Sequence, residues 1–235
     1  MLMIKKTLFL FFFYSGVIFV CIFFLPSLIL PQKIVIYGGK ILGFWAKFCL
    51  EFFLSIKFDI KGKDKILKNE KFFIACAHQS QFETFFLQTL FDSPIFILKK
   101  ELLKIPIFGW YLKKIGSISI DRNKITKDNL GFSEQIIQHV KTSNRPIIIF
   151  PQATRLEVSD RSPFKKGVKR IYEELNIFCQ PIALNSGDIW PKNGKLKTNK
   201  KLTISILDPI NPRMNPDEFL NILQKNIYDE IDRII

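Results

Sequence analysis

A histidine and a glutamate five positions apart, His78 and Glu83 in Ala77-His78-Gln79-Ser80-Gln81-Phe82-Glu83, are the residues of this chain best suited to proton transfer. His78 is one of two histidines and stands where the apolar run Lys71-Phe72-Phe73-Ile74-Ala75-Cys76-Ala77 ends. A carboxylate on one ring nitrogen fixes the tautomer and leaves the other nitrogen free to accept a proton, an exchange that suits an imidazole near neutrality. Spacing decides how the two can meet. Within one continuous helix, five positions are a rotation of roughly 500°, which leaves the side chains ~140° apart and facing away from each other. Contact therefore requires His78 on a connection and Glu83 in the first turns of the helix that follows. The pattern predicts that arrangement, with a buried strand up to Ala77 and a helix from Phe82 to Phe91. Gln79 and Ser80 then stand at the helix entrance, where a side-chain oxygen caps free amides.

Two arginines add a second chemistry. Arg122 closes Gly116-Ser117-Ile118-Ser119-Ile120-Asp121-Arg122, and Arg155 closes Ile149-Phe150-Pro151-Gln152-Ala153-Thr154-Arg155. Both follow apolar strands, whose carboxyl ends line the crevice of an α/β sheet. The guanidinium fork donates in two directions and stays charged, which suits it to phosphate. Moving an acyl group from a thioester to an alcohol takes a base for the hydroxyl, donors for the oxyanion and cations for a phosphate-bearing acceptor. His78, loop amides, and Arg122 with Arg155 form such a set.

With a fourth segment, Gln180-Pro181-Ile182-Ala183-Leu184-Asn185-Ser186-Gly187, these blocks stand in an order that resembles the glycerolipid acyltransferases, specifically the bacterial 1-acylglycerol-3-phosphate acyltransferases. The resemblance covers about residues 70 to 190. The family pattern is His-x4-Asp, a glycine-led strand ending in arginine, Phe-Pro-Glu-Gly-Thr-Arg, and an apolar strand with proline. It implies His78 as catalytic base with Glu83 as its partner, and Arg122, Thr154, Arg155, Gln152 and Ser80 as the substrate-binding set. This chain departs at Glu83 for Asp, Gln152 for Glu and Ala153 for Gly. Glu83 is one methylene longer and still reaches the ring if the helix starts slightly further away. Gln152 keeps shape but loses charge, and Ala153 carries about 1 kcal/mol of strain if the loop demands a left-handed backbone.

Other chemistries do not fit. Ser80 lacks a Gly-x-Ser-x-Gly elbow, and Cys76 lies in the apolar strand as a buried thiol. Cys21, Cys49, Cys76 and Cys179 contain no Cys-x-x-Cys pair, so neither a metal site nor a disulfide framework is indicated. His139 reads as a helix-face residue. There is no glycine-rich phosphate loop, and no cofactor is called for.

The elements that must position these residues begin at a membrane. Thr7 to Leu30 is uncharged and long enough to cross a hydrocarbon layer of ~30 Å as a helix, with Lys5 and Lys6 before it and Lys33, Lys40 and Lys47 after. Lysines at both ends leave a single crossing and a hairpin dipping into one leaflet as competing topologies, and Pro26 is placed to kink the segment. From Ile34 to Leu54, apolar blocks alternate with lysines, as in an interfacial helix. Residues 1–55 thus read as a membrane anchor with an interfacial helix, and 56–235 as one acyltransferase domain.

The net charge of +14 and pI near 9.6, spread over the chain without a nucleic-acid motif, point to anionic lipid and acidic substrates, and no nucleic acid. Strands are expected at 72–77, 94–98, 116–121, 146–150, 180–184 and 202–207, and helices near 82–91, 101–114, 124–142, 166–176 and 216–233. The fold class is α/β, a mostly parallel sheet flanked by helices behind an N-terminal membrane-anchoring helical segment. Lys99, Lys100, Lys104, Lys113 and Lys114 lie along or beside one helix, as a contact for an acyl carrier or coenzyme A, or as a solvated face.

The expected activity is transfer of a fatty acyl group from acyl-CoA or acyl carrier protein to the free hydroxyl of 1-acylglycerol-3-phosphate, giving phosphatidic acid. The expected place is a cell inner membrane with the catalytic part on the cytoplasmic side. The alternatives are another lyso-acceptor, such as a lyso-ornithine lipid, and a catalytically silent lipid-binding protein.

Overall fold

The computed structural model describes residues 2–120 and 128–235. Short apolar segments pair into one sheet: β1 (Lys57–Lys61), β2 (Phe72–Cys76), β3 (Ile95–Lys99), β4 (Ile118–Ile120), β5 (Ile147–Ile149), β6 (Phe178–Leu184) and β7 (Lys201–Ile206). Their order is β1-β7-β6-β2-β5-β3-β4, parallel throughout except for the antiparallel β6–β7 pair. Because successive side chains point to opposite faces, each central strand feeds two cores. Ile74 and Cys76 of β2 face one core, with Phe82, Phe86 and Leu87; Phe73, Ala75 and Ala77 face the other, with Val168, Ile171, Phe219 and Leu223.

The second core is covered by α5 (Asp128–Thr142), α6 (Lys166–Leu175) and α8 (Pro216–Ile234). α8 starts at Asn215, whose side-chain oxygen accepts from the amides of Asp217 and Glu218 at 2.9 and 3.3 Å, and Pro216 needs no amide partner there. His139 of α5 bonds the Arg145 carbonyl through Nε2 at 3.1 Å.

The first core is covered from the N-terminus. α1 (Leu2–Phe23) and α2 (Gln32–Leu54) pack against each other as a hairpin, joined by a 3-10 turn at Leu25–Leu28 that contains Pro26. The uncharged stretch is thus broken rather than continuous to Leu30, because proline clashes with the preceding turn of a helix. The helices approach closely where Gly16 meets Trp45; a Cβ there would lie 2.0 Å from the indole Nε1. Trp45 Nε1 donates to the Phe12 carbonyl at 3.3 Å. α1, at about 33 Å, is long and apolar enough to cross a membrane, and most of its surface is uncovered by protein. Its inner face is not: Phe9 and Phe13 are fully buried against Trp190, with ring centroids 5.0 and 4.9 Å away.

Three expectations need correction. The helix expected at 101–114 is a 3-10 turn at Lys100–Lys104 and a separate α4 (Phe108–Lys114), because Pro106 holds Ile105 extended. The helix expected over 82–91 is α3 (Phe82–Phe86) followed by a 3-10 turn at Leu87–Thr89. β1, not expected at all, pairs with β7 at the sheet edge.

Candidate active site

Three neighbouring strands, β6, β2 and β5, deliver the site. Their parallel register places Cys76 beside Ile182 and Ala75 beside Ile149, so the segments after all three leave the sheet at one edge. That edge carries His78 after β2, Gln152 after β5 and Ser186 after β6, the last on α7 (Ser186–Ile189).

His78 sits on the connection and Glu83 in the first turn of α3, with His78 Nδ1 3.0 Å from Glu83 Oε1. Since an ionised carboxylate only accepts, Nδ1 carries the proton, and Nε2 is the nitrogen left to accept one. The same Oε1 accepts from the amides of Gln79 and Ser80, both at 2.6 Å, and Oε2 accepts from Ser186 Oγ at 2.8 Å. Four donors thus converge on a side chain that is fully buried, which offsets the cost of placing a carboxylate there. The His78 ring stacks on Phe150 with centroids 4.1 Å apart, and its side chain is 15% exposed. Its tautomer and plane are both fixed, and one edge remains open.

Ser80 and Gln152 lie behind this pair, away from the cavity beside it. Ser80 is fully buried, and its Oγ accepts from the Phe82 amide at 3.2 Å. Gln152 is 3% exposed, and its Oε1 accepts from the His78 amide at 2.6 Å. Near it on α8 is the Tyr228 hydroxyl, a phenol whose pKa burial pushes up while the Gln152 side chain acts in the opposite direction. Tyr228 in turn donates to the Ser162 carbonyl at 2.5 Å. Gln79 Oε1 accepts from the Gly187 amide at 3.0 Å, which ties the histidine loop to α7. Ala153 has φ 60°, so the loop does demand the left-handed backbone and the alanine strain is borne. That turn presents Thr154 and Arg155 to the cavity.

The cavity measures ≈ 430 Å³, within the range of small-molecule sites. His78, Thr154, Arg155 and Lys192 line its polar part, and Val20, Phe24, Leu42, Phe96 and Leu112 contribute to its apolar walls. It reaches Ser93 and Arg145 at the opposite edge of the sheet, where Arg145 Nε donates to the Ser93 carbonyl at 2.6 Å. Lys99, at the end of β3, also faces the cavity. Arg122 lies outside the described residues. Cys76 is fully buried, and burial, with Glu83 adding to it, pushes its thiol pKa well above 9. A buried neutral thiol is a poor nucleophile.

Sequence reading missed Ser186 as a partner of Glu83 and Lys192 as a cation of the cavity. Ser186 lies in the segment Gln180 to Gly187, but 103 residues separate it from Glu83 and only the sheet order brings them together.

A model of the acyltransferase family matches residues 57–185. A 1-acyl-sn-glycerol-3-phosphate acyltransferase of Pseudomonas aeruginosa is 31% identical over 156 residues, which are 65% of this chain and 60% of that protein. The enzyme of the same name from Helicobacter pylori is 30% identical over 160 residues, 67% of each chain. The chain therefore spans about three fifths to two thirds of these relatives' length. The crystal structure of the 1-acyl-sn-glycerophosphate (LPA) acyltransferase from Thermotoga maritima superposes with a TM-score of 0.81 at 20% identity, over 99% of this chain and 97% of that one. That likeness shows the fold.

Proposed function

This chain belongs to the acyltransferase family, and from that premise and the geometry around His78 we propose that it transfers a fatty acyl group from acyl-CoA or acyl carrier protein to the free hydroxyl of 1-acylglycerol-3-phosphate, giving phosphatidic acid. The observation that carries the reading is a His78–Glu83 pair, its carboxylate fully buried, opening onto an apolar cavity with cations in its wall. His78 Nε2 takes the proton of the acceptor hydroxyl as its oxygen attacks the thioester carbonyl. The tetrahedral intermediate collapses, the carbon–sulfur bond breaks, and the proton returns from the imidazolium to the leaving thiolate. Glu83 holds the ring and offsets its transient positive charge, while Ser80, Gln152 and Ser186 act through these two as positioning residues. Arg155, with Arg122 and Thr154, takes the acceptor phosphate, and the apolar walls take an acyl chain.

The loss of charge at Gln152 does not argue for another acceptor, because that side chain is turned away from the cavity and bonded to the His78 amide. The place proposed is a cell inner membrane, with the catalytic part on its cytoplasmic side and the α1–α2 hairpin in lipid. The exposed apolar surface of α1 supports membrane association.

The test is a donor and acceptor panel on the full chain in detergent, with wild type and Arg155→Ala. A charge-assisted phosphate contact is worth about 1.5–3 kcal/mol, so the variant should raise the KM for lysophosphatidic acid roughly tenfold to a hundredfold and leave that of the donor nearly unchanged. A wild type that prefers a lyso-acceptor without phosphate, or a variant with full lysophosphatidic acid affinity, removes the phosphate site.

A further inference from the structure

We propose that Lys100–Lys114 is a second lipid-contacting element, seated in the headgroup layer of an anionic membrane beside the α1–α2 hairpin. Among the described residues after α2, large apolar side chains stand exposed at four positions: Leu102 at 37%, Ile105 at 43%, Trp110 at 51% and Ile235 at the C-terminus. Three of the four thus fall within one stretch of nine residues. Exposure concentrated in this way marks a contact surface rather than ordinary scatter.

The stretch is fastened to the hairpin. Tyr111 donates its hydroxyl to the Cys21 carbonyl of α1 at 2.6 Å, and Gln32 at the start of α2 donates Nε2 to the Lys114 carbonyl at 2.8 Å. Trp110 is therefore next to the bend, where Phe23, Ile29 and Leu30 are also exposed, and the two apolar surfaces adjoin. Lys100, Lys104, Lys113 and Lys114 accompany them, with Glu101 as the one acid of the stretch. Lys113 follows Trp110 by three positions in α4, so indole and ammonium share a helix face. An indole at the headgroup level with lysines reaching for phosphates is the composition of an interfacial contact. An acidic carrier protein would suit the lysines; the exposed apolar side chains and their continuity with the hairpin favour lipid.

The element rests on the membrane association above and not on the transfer chemistry. Phe108 and Leu112, the less exposed side chains of the same stretch, line the cavity, so one segment has lipid on one side and the acyl site on the other.

The experiment uses the full chain in vesicles of phosphatidylcholine with phosphatidylglycerol, comparing wild type with Trp110→Phe. The emission removed by the substitution should be blue-shifted, quenched by phospholipids brominated near the headgroup, and shielded from acrylamide. Lys104→Glu with Lys113→Glu should shift the equilibrium of the segment out of the headgroup layer by about twenty-fivefold, read as loss of that quenching, since each lysine at an anionic surface contributes about fivefold. Circular dichroism of each variant in detergent checks that it is folded. Red-shifted Trp110 emission open to acrylamide in vesicles would overturn the proposal. So would shielding that appears only when acyl carrier protein is added. Neither readout requires turnover, so a failure of the acyltransfer reading is seen separately in the substrate panel.

Discussion

Replacing Glu83 with Gln separates the charge of the dyad from its shape. The carboxylate accepts from His78 Nδ1 and the amides of Gln79 and Ser80 through Oε1, and from Ser186 through Oε2. An amide oxygen in the place of Oε1 keeps the first three bonds. The amide nitrogen in the place of Oε2 then donates to Ser186, whose hydroxyl turns to accept, so the fold is retained. Catalysis is not spared. Bonds to charged groups are worth about 1.5–3 kcal/mol against 0.5–1.5 for neutral ones, so about 1 kcal/mol is lost from the bond itself. The imidazolium formed on the way to the transition state also loses an anion, worth up to about 4 kcal/mol at 4 Å for an effective dielectric constant near 20. The kcat should therefore fall between about fivefold and a few thousandfold with KM nearly unchanged. Glu83→Asp, which keeps the charge and has the family residue, should lose less. Steady-state thiol release and thermal unfolding on the same preparations provide the readouts. A folded Glu83→Gln enzyme within twofold of wild type would refute the dyad, and equal losses in the two variants would show that position matters and charge does not.

Ala153→Gly should relieve the strain of a φ of 60° and stabilise the protein by about 1 kcal/mol, raising Tm by roughly 2–4 °C; an unchanged or lower Tm by calorimetry would count against strain at that turn. The Cys76 thiol, pushed well above 9 by burial, stays protonated at pH 8, so iodoacetamide should leave it unmodified in the folded protein. Mass spectrometry showing rapid alkylation there, with loss of activity, would make it an accessible thiolate instead.

The central strands were legible because Phe72–Cys76 and Ile147–Ile149 are buried on both faces and read as unbroken apolar runs, and Phe178–Leu184 is broken only by the buried Gln180. β1 was not. Lys57-Phe58-Asp59-Ile60-Lys61 is charged at alternate positions, and it is a strand only because β7 pairs with it from more than a hundred residues away. The site divides in the same way. His78 and Glu83 meet through local chain geometry, which spacing encodes, whereas Gln152 under the His78 amide and Ser186 on the far carboxylate oxygen depend on β5 and β6 flanking β2. Lys192 carried no pattern of its own, since it follows Trp190-Pro191 in a loop whose course is set by the burial of that tryptophan.

The burial of Phe9 and Phe13 against Trp190 also bears on how the molecule comes into being. Synthesis runs from the N-terminus at about 5–20 residues per second, so α1 emerges roughly ten to forty seconds before the tryptophan that completes its inner face. Through that interval its aromatic side chains lack their final protein partner, and the bilayer is the solvent that can hold them. Assembly then becomes a recruitment in which the growing sheet is built onto a helix already resting in lipid. A version trimmed of its first helix for solubility would lose a wall of its own interior as well as its tether.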